Sequence, residues 1–134
     1  MAIEQEGTFE VDGQSLYTKS WLPDGPTKAK VIFFHGFSDH INRYQAFFSA
    51  LAGRGIAVHG VDQRGWGRSV KKPSDRGLTG PTSRVLADMA AFITAHLPAS
   101  PADPPAFVMG HSMGGGQVLT LACHAAYQES VVRP

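Results

Sequence analysis

Two kinds of apolar pattern alternate along this chain of 134 residues. Short continuous apolar runs, typical of strands buried on both faces, occur at 31–34, 56–61 and 106–109. Each run is followed by a helical pattern: Tyr44, Phe47, Phe48 and Leu51; then Val85, Met89, Phe92 and Ile93; then residues 118–126. This alternation predicts an α/β fold with a mainly parallel sheet and right-handed crossovers.

An antiparallel hairpin is predicted before this alternation. Asp12-Gly13-Gln14 separates two β-favouring segments, 7–11 and 15–22, and Asp-Gly between such segments is a hairpin signal. The prediction is therefore a sheet of about five strands with three flanking helices. Thr82 or Ser83 is expected to cap the second helix, and Pro98 to end it.

Composition places the chain among ordinary globular domains, and we predict one domain over 1–134. Lys plus Arg is 12 and Asp plus Glu is 11, so a net charge of +1 gives no reason to expect nucleic acid as a partner. No signal peptide and no membrane-spanning run is visible, and Cys123 is the single cysteine, which favours a cytoplasmic location. No metal-ligand spacing or cofactor motif is present, so we expect neither a metal nor a cofactor.

The segment Gly110-His111-Ser112-Met113-Gly114 has the form G-x-S-x-G and lies between a predicted strand and a predicted helix. In that context the motif indicates a nucleophilic serine on a sharp turn, because flanking glycines let strand and helix approach closely. The alternative is a glycine-rich turn with an incidental serine. Gly110, His111 and Gly114 are interpreted as structural parts of the motif, and Ser112 as the catalytic residue.

A second loop, His35-Gly36-Phe37, directly follows the first buried run. Acyl transfer needs two backbone N–H groups aimed at one oxyanion. We predict that Met113, the residue after the nucleophile, supplies one and Phe37 the other. His35 and Gly36 are expected to shape this loop, and a role for His35 as the catalytic base is disfavoured.

Three blocks together resemble one family. His35–Tyr44 looks like the H-G-x-x-E/D-H-x-x-R-Y segment of monoglyceride lipase-like and lysophospholipase-like α/β-hydrolases, Asp62–Ser69 looks like their D-x-R-G-x-G-x-S segment, and Gly110–Gly115 matches their nucleophile turn. The resemblance implies a serine hydrolase that forms an acyl-enzyme on esters of glycerol or similar lipids. It also suggests peripheral contact with lipid surfaces.

Within the resemblance, Asp62 and Arg64 look structural, and Asp62 is expected to tie down the loop that follows it. Arg43 and Tyr44 are expected to anchor the first turns of a helix. Asp88 is expected to be a solvated or rim residue, as is His96 on the same helix.

The acid and histidine of a catalytic triad follow the serine in this fold. After Ser112 the sequence offers only His124, predicted in the same helix and too far along it, and Glu129. We therefore expect a truncated domain that lacks the cap and the C-terminal part of the triad, is inactive alone, and aggregates through an open sheet edge. The alternatives are a non-catalytic pseudo-hydrolase or binding protein, or a peptidase or thioesterase of the same fold.

Overall fold

The computed structural model describes residues 1–131, so the last three residues of the predicted domain lie outside the described part. Its core is one five-stranded sheet in the order β1-β2-β4-β3-β5. The strands are β1 (Ala2–Val11), β2 (Gln14–Pro23), β3 (Ala29–Phe34), β4 (Ile56–Val61) and β5 (Ala106–Gly110). The predicted α/β class, hairpin and strand number are confirmed.

The strands of the hairpin are longer than the predicted segments 7–11 and 15–22. Strands β1 and β2 pair antiparallel over their whole length, from Ala2 opposite Pro23 to Val11 opposite Gln14. Asp12 and Gly13 both have positive φ, 46° and 73°, as a two-residue primed turn requires. The apolar pattern missed the start of β1 because most of its residues are exposed, and backbone pairing with β2 rather than burial holds them in the strand.

Strands β4, β3 and β5 are parallel neighbours, and their last residues lie side by side. Phe34, the last residue of β3, is paired with Val61 of β4 on one side and with Gly110 of β5 on the other. Since parallel strands point the same way, the segments after all three strands leave at one edge of the sheet. That edge is the one at which α/β proteins place their ligands.

Residues 1–131 contain four α-helices instead of the predicted three: α1 (Gln45–Ala52), α2 (Thr82–His96), α3 (Met113–Cys123) and α4 (Ala125–Val131). Short 3₁₀ turns occupy Ile41–Tyr44, Gly67–Ser69 and Pro73–Asp75. The predicted last helix, 118–126, was wrong at both ends. It begins at Met113 despite three glycines, because tertiary contacts override their poor propensity, and it breaks at His124, whose ψ of 118° is extended.

The start of α2 also differs from the prediction. Pro81 occupies the N-cap position and Thr82 is the first helical residue, with no side-chain capping bond. A proline just before or inside the first turn has no N–H to satisfy, and its fixed φ suits that place. The helix ends at His96, two residues before the predicted stop at Pro98.

Apolar side chains form two clusters, one on each face of the sheet. Helix α1 covers one face, where Trp21, Phe33 and Phe48 pack together. Helices α2, α3 and α4 cover the other, where Phe34, Met89 and Phe92 are central. Phe47 was predicted to lie in the buried apolar stripe of α1. It is 47% exposed, so the prediction was wrong at this position. None of the described helices is both long and apolar enough to span a bilayer.

Candidate active site

Ser112 lies at a sharp bend between β5 and α3. Its φ of 55° and ψ of −119° are unusual for a residue with a side chain. Strand β5 ends at Gly110 and α3 begins at Met113, so the bend occupies only two residues. Ser112 is exposed and makes no capping bond to its own helix, although serine commonly caps helices. The backbone thus holds the hydroxyl out at the carboxyl edge of the sheet, at a cost of order 1–3 kcal/mol in local strain.

Steric contact explains the two motif glycines. A Cβ at Gly114 would lie 2.6 Å from the carbonyl oxygen of His35 and closer still to that of Phe34. A Cβ at Gly110 would lie 2.5 Å from the Gly115 nitrogen. Real Cβ atoms do not approach backbone this closely, so only glycine permits the bend to pack against the end of β3.

The loop after β3 lies directly against the bend. The His111 N–H donates to the Phe34 carbonyl at 3.1 Å. A Cβ at Gly36 would be 3.3 Å from both the Cβ of Ser112 and the carbonyl oxygen of His111. The backbone of Gly36 is therefore close to Ser112. The Phe37 side chain points outward, 71% exposed, with its ring edge-on to Trp66 at 5.1 Å between centroids.

His35 is fully buried and joins this loop to the next one. Its Nε2 accepts from the Gln63 N–H at 2.9 Å, so Nδ1 carries the proton and donates to the Gly36 carbonyl at 2.8 Å. Burial lowers the pKa of His35, which keeps the ring neutral. Both ring nitrogens are thus occupied by backbone groups, an arrangement suited to holding the loop in place and not to accepting a proton from Ser112.

Asp62 is also fully buried, at the end of β4. One carboxylate oxygen accepts from the Ile41 N–H and the other from the Arg68 N–H, each at 2.8 Å. The carboxylate therefore links the segment before α1 to the loop after β4. Gly67, with φ of 53°, leaves the space this carboxylate needs, since a Cβ there would lie 2.6 Å from the Asp62 Cγ.

Arg64 and Asp88 form a buried ion pair on the α2 side of the sheet. The Arg64 Nε lies 2.7 Å from Asp88 Oδ2 and its Nη2 lies 3.1 Å from Oδ1, while Nη2 also donates to the Val11 carbonyl. Asp88 is only 8% exposed, so the prediction of a solvated residue was wrong. Its position within the apolar stripe of α2, three after Val85 and four before Phe92, was the signal for burial.

A polar chain beside Ser112 was not found from the sequence. The Tyr44 hydroxyl donates to Asp39 Oδ2 at 2.5 Å and lies 3.1 Å from His111 Nδ1. Because its single proton goes to Asp39, Nδ1 of His111 is the donor to the tyrosine oxygen. Burial, followed by the Asp39 hydrogen bond, raises the pKa of Tyr44 to about 12. Tyr44 thus lies in the 3₁₀ turn before α1 and contacts the nucleophile turn. Arg43, in the same turn, pairs with Asp39 at 3.4 Å.

The pKa of Asp39 reflects opposing effects. Burial alone would raise this pKa, but hydrogen bonds from the Tyr44 hydroxyl and the His40 N–H, with the charge of Arg43, outweigh it and lower the pKa. Asp39 therefore stays ionised and orients Tyr44.

The histidines that follow or precede the nucleophile lie elsewhere. His124 ends α3, and 11 helical residues at about 1.5 Å each place it roughly 16 Å from Ser112 along the axis. His96 is half-buried, as a rim residue would be, with its ring 4.4 Å from that of His59. Its Nδ1 bonds to the Phe92 carbonyl one helical turn earlier, which the sequence spacing alone did not reveal.

Comparison with known proteins identifies similar chains. A Schizosaccharomyces pombe protein whose name assigns it to the monoglyceride lipases is 48% identical over 107 residues, which are 78% of this chain and 27% of that protein. The mouse monoglyceride lipase is 30% identical over 122 residues, 90% of this chain and 39% of that enzyme. The chain thus spans well under half the length of these relatives.

A solved structure shows the same fold. A soluble variant of the Saccharomyces cerevisiae monoglyceride lipase, in complex with a substrate analog, superposes with a TM-score of 0.82 at 24% identity. The match covers 98% of this chain and 41% of that one. The family model described as serine aminopeptidase S33, Hydrolase_4, matches residues 25–132, which include both loops and the nucleophile turn. The chain therefore belongs to this α/β-hydrolase family.

Proposed function

We propose that this chain carries the nucleophile and oxyanion loop of a serine ester hydrolase of the monoacylglycerol lipase or lysophospholipase type. The observation that carries the proposal is the conformation of Ser112: a non-glycine residue at φ 55°, exposed, between a strand and a helix that only glycines allow to pack. Strained residues of this kind cluster at functional sites, and an exposed serine with an unbonded capping position is suited to act as a nucleophile.

The oxyanion would be held by the N–H groups of Met113 and Phe37. Met113 is the first residue of α3, so its N–H has no partner within the helix, and the positive end of the helix dipole lies at the same place. Phe37 follows Gly36, whose backbone lies close to Ser112. Two such donors beside a developing alkoxide contribute a large share of the catalysis in acyl transfer.

In the proposed reaction the Ser112 Oγ attacks the ester carbonyl carbon and its proton passes to a histidine. The alcohol leaves with that proton, and water then releases the acyl group from Ser112. Neither His35, with both nitrogens bonded, nor His124, at the far end of α3, meets the hydrogen-bond reach of about 3 Å that a base needs. We propose that neither of these histidines is the base, and we expect residues 1–134 alone not to turn over substrate.

The substrate class rests on the relatives. Those similar over most of this chain include monoglyceride lipases, and also an Arabidopsis thaliana caffeoylshikimate esterase that is 36% identical over 110 residues. All are named for cleaving carboxylic esters, so a carboxylic ester is the proposed substrate, and the monoglyceride lipases among them favour a monoacylglycerol-like lipid. A peptidase of the same fold is the second candidate, because the matching family model is described as a serine aminopeptidase. Contact with lipid surfaces and a cytoplasmic location stay predictions from the sequence.

A fluorophosphonate probe tests the nucleophile. We expect slow phosphonylation of the 134-residue chain at Ser112, found by intact mass and peptide mapping, because the oxyanion donors act even without a base. Ser112→Ala should abolish it. Ser38→Ala is the matched control, since Ser38 also has positive φ, 50°, and lies in the neighbouring loop. Equal labelling of wild type and Ser112→Ala, or labelling at Ser38, would contradict the proposal.

A further inference from the structure

Charge is distributed unevenly along this chain, although its net charge is only +1. The segment 68–84, which follows the turn after β4 and reaches the start of α2, contains five Lys or Arg residues and one acid, Asp75, so it carries +4. All other residues together therefore carry −3. A strongly cationic segment of this kind attracts anionic surfaces even when the whole chain is nearly neutral.

Three of the five cations in this segment have no acidic partner. Within residues 1–131, Lys71, Lys72 and Arg76 make no ion pair, and all three are exposed. The other two are neutralised, since Arg68 pairs with Glu6 at 3.6 Å and Arg84 pairs with two carboxylates. The charge available to a partner thus lies in the loop formed by residues 69–78, which we call the cationic loop.

The cationic loop is held to the rest of the protein at both ends. At its start the buried Ser69 hydroxyl donates to the Asp62 carbonyl. At its end the Leu78 backbone packs against Gly65, where a Cβ would lie 3.0 Å from the Leu78 nitrogen. The exposed cations therefore project from an ordered backbone, which reduces the entropy lost when a partner binds.

Apolar side chains accompany these cations. Leu78 is 62% exposed, and it lines one recess with Lys71, Lys72 and Asp75. Phe37, in the neighbouring loop after β3, is 71% exposed. Exposed Leu and Phe beside lysines are typical of surfaces that lie at a membrane interface, where the apolar side chains enter the headgroup boundary and the cations meet anionic headgroups. Pairing with a nucleic acid would use the cations alone.

The cationic loop lies at the same edge of the sheet as the nucleophile. It follows the carboxyl end of β4, which is level with the carboxyl end of β3. Gly77 lines the same cavity as Met113, the residue directly after Ser112. A surface bound by this loop would therefore lie alongside the nucleophile turn.

We propose that the cationic loop docks this edge of the protein onto an anionic lipid surface, with Lys71, Lys72 and Arg76 at the headgroups and Leu78 inserted among them. The choice of a lipid partner rests on the proposed function, whose substrate would be held in such a surface, and it deepens that function by naming the face that meets the lipid. Each cation near the surface should strengthen binding about fivefold, and so should Leu78.

The test measures binding of the 134-residue chain to sucrose-loaded vesicles by sedimentation, after subtraction of protein that sediments without vesicles. Vesicles of phosphatidylcholine containing about 30% phosphatidylserine are compared with pure phosphatidylcholine vesicles. We expect at least about tenfold tighter binding to the anionic vesicles. Raising the salt concentration from about 0.1 M to about 0.5 M should remove most of that difference, because salt screens exposed charges.

A pair of double variants locates the binding surface. Lys71→Gln with Lys72→Gln should bind the anionic vesicles about 25-fold more weakly than the wild type. Lys28→Gln with Arg54→Gln is the matched control. It removes the same charge from two exposed residues that form no ion pair within the described part of the chain and that precede β3 and β4, at the opposite edge of the sheet. Its binding should change less than about threefold.

Leu78→Ser tests the apolar part of the proposal. The side chain is largely exposed, so the variant should melt at the same temperature as the wild type. Its binding to anionic vesicles should be about fivefold weaker with an unchanged salt dependence, because no charge is removed. Unchanged binding in Leu78→Ser would overturn the insertion of this residue.

An equal loss in the two double variants would overturn the proposal, since net charge and not this loop would then control binding. Equal affinity for neutral vesicles would overturn it too, as would binding to a single-stranded RNA without binding to anionic vesicles. The two proposals fail separately. Ser112→Ala should bind vesicles as the wild type does, so vesicle binding without phosphonylation would remove the nucleophile alone, and phosphonylation without vesicle binding would remove the docking surface alone.

Discussion

Strands β3 and β5 have the same apolar character in the sequence and opposite surroundings in the fold. They are parallel neighbours, with Val31 paired to Phe107 and Phe33 paired to Met109. Val31 and Phe33 are 7% and 2% exposed, whereas Phe107 and Met109 are 59% and 38% exposed on the same face. An apolar run thus predicts a strand but does not predict which of its faces is covered.

Sheet order explains the difference. Strand β3 lies between β4 and β5. Phe48 of α1 and Tyr44 of the preceding 3₁₀ turn pack against its Phe33 ring, at 4.9 and 4.7 Å between centroids. Strand β5 is at the edge of the described sheet, and α1 does not extend over it. The opposite face of β5 is partly covered, because Val108 packs against the cluster under α2 and α3. Exposed apolar residues on an unpaired edge favour association of the 134-residue chain.

The largest effect is expected where the ends of these two strands meet. Gly114→Ala would place a methyl group against the Phe34 and His35 carbonyls, which cannot move without displacing β3. We expect a loss of at least about 4 kcal/mol in the free energy of unfolding, measured by urea denaturation. Gly116→Ala, two residues along the same helix and in open space, should be neutral or more stable by up to about 1 kcal/mol. Similar values for the two variants would show that the close approach is not required.

Phe33 and Phe107 lie on the same face of adjacent strands but differ in burial, so their alanine variants measure how much burial contributes to stability. Phe33→Ala should cost about 3–5 kcal/mol, because the ring is in the α1 cluster. Phe107→Ala should cost less than about 1 kcal/mol, since the ring is largely exposed already, and should reduce association in sedimentation experiments. A large loss of stability in Phe107→Ala monomers would mean that the edge of the sheet is covered.

His59 of β4, in the middle of the sheet, is expected to make a smaller and pH-dependent contribution to stability. Burial, followed by the neighbouring charges of His96 and Lys30, lowers the pKa of His59 to about 4. The Ser20 hydroxyl is hydrogen-bonded to the His59 Nδ1 at 2.8 Å. The unfolded chain then binds the proton more readily than the folded chain. Stability is therefore full above about pH 6.5 and falls as the pH drops toward 4, by on the order of 2–3 kcal/mol.

Thermal melts between pH 7 and pH 4, a range spanning the ordinary and shifted values, measure this loss. His59→Gln should flatten the profile. His124→Gln is the control, because that histidine is exposed. An unchanged slope in His59→Gln would assign the acid sensitivity to other groups, of which His96, whose burial lowers its pKa too, is the nearest.

Much of the scaffold was predictable because its signals are local. The Asp12-Gly13 turn, the apolar runs of β3 and β4, and the stripe of α2 each depend on neighbours in sequence. The start of α3 was not predictable, because three glycines indicate a turn and only their contacts with the end of β3 make a helix there. The Arg64–Asp88 pair joins groups 24 residues apart, and the Tyr44–His111 contact joins groups 67 apart, so no local pattern could contain them.

The sequence by itself determined the alternation of strands and helices, the hairpin and the three motif blocks, because these depend on side-chain periodicity, turn conformation and residue identity at short range. Only the tertiary structure decided which apolar faces are buried, that Asp88 is paired inside the protein, and that the backbone of Gly36 lies close to Ser112. These outcomes depend on strand order and on atoms brought together from distant positions, and such contacts are set by packing over the whole sheet.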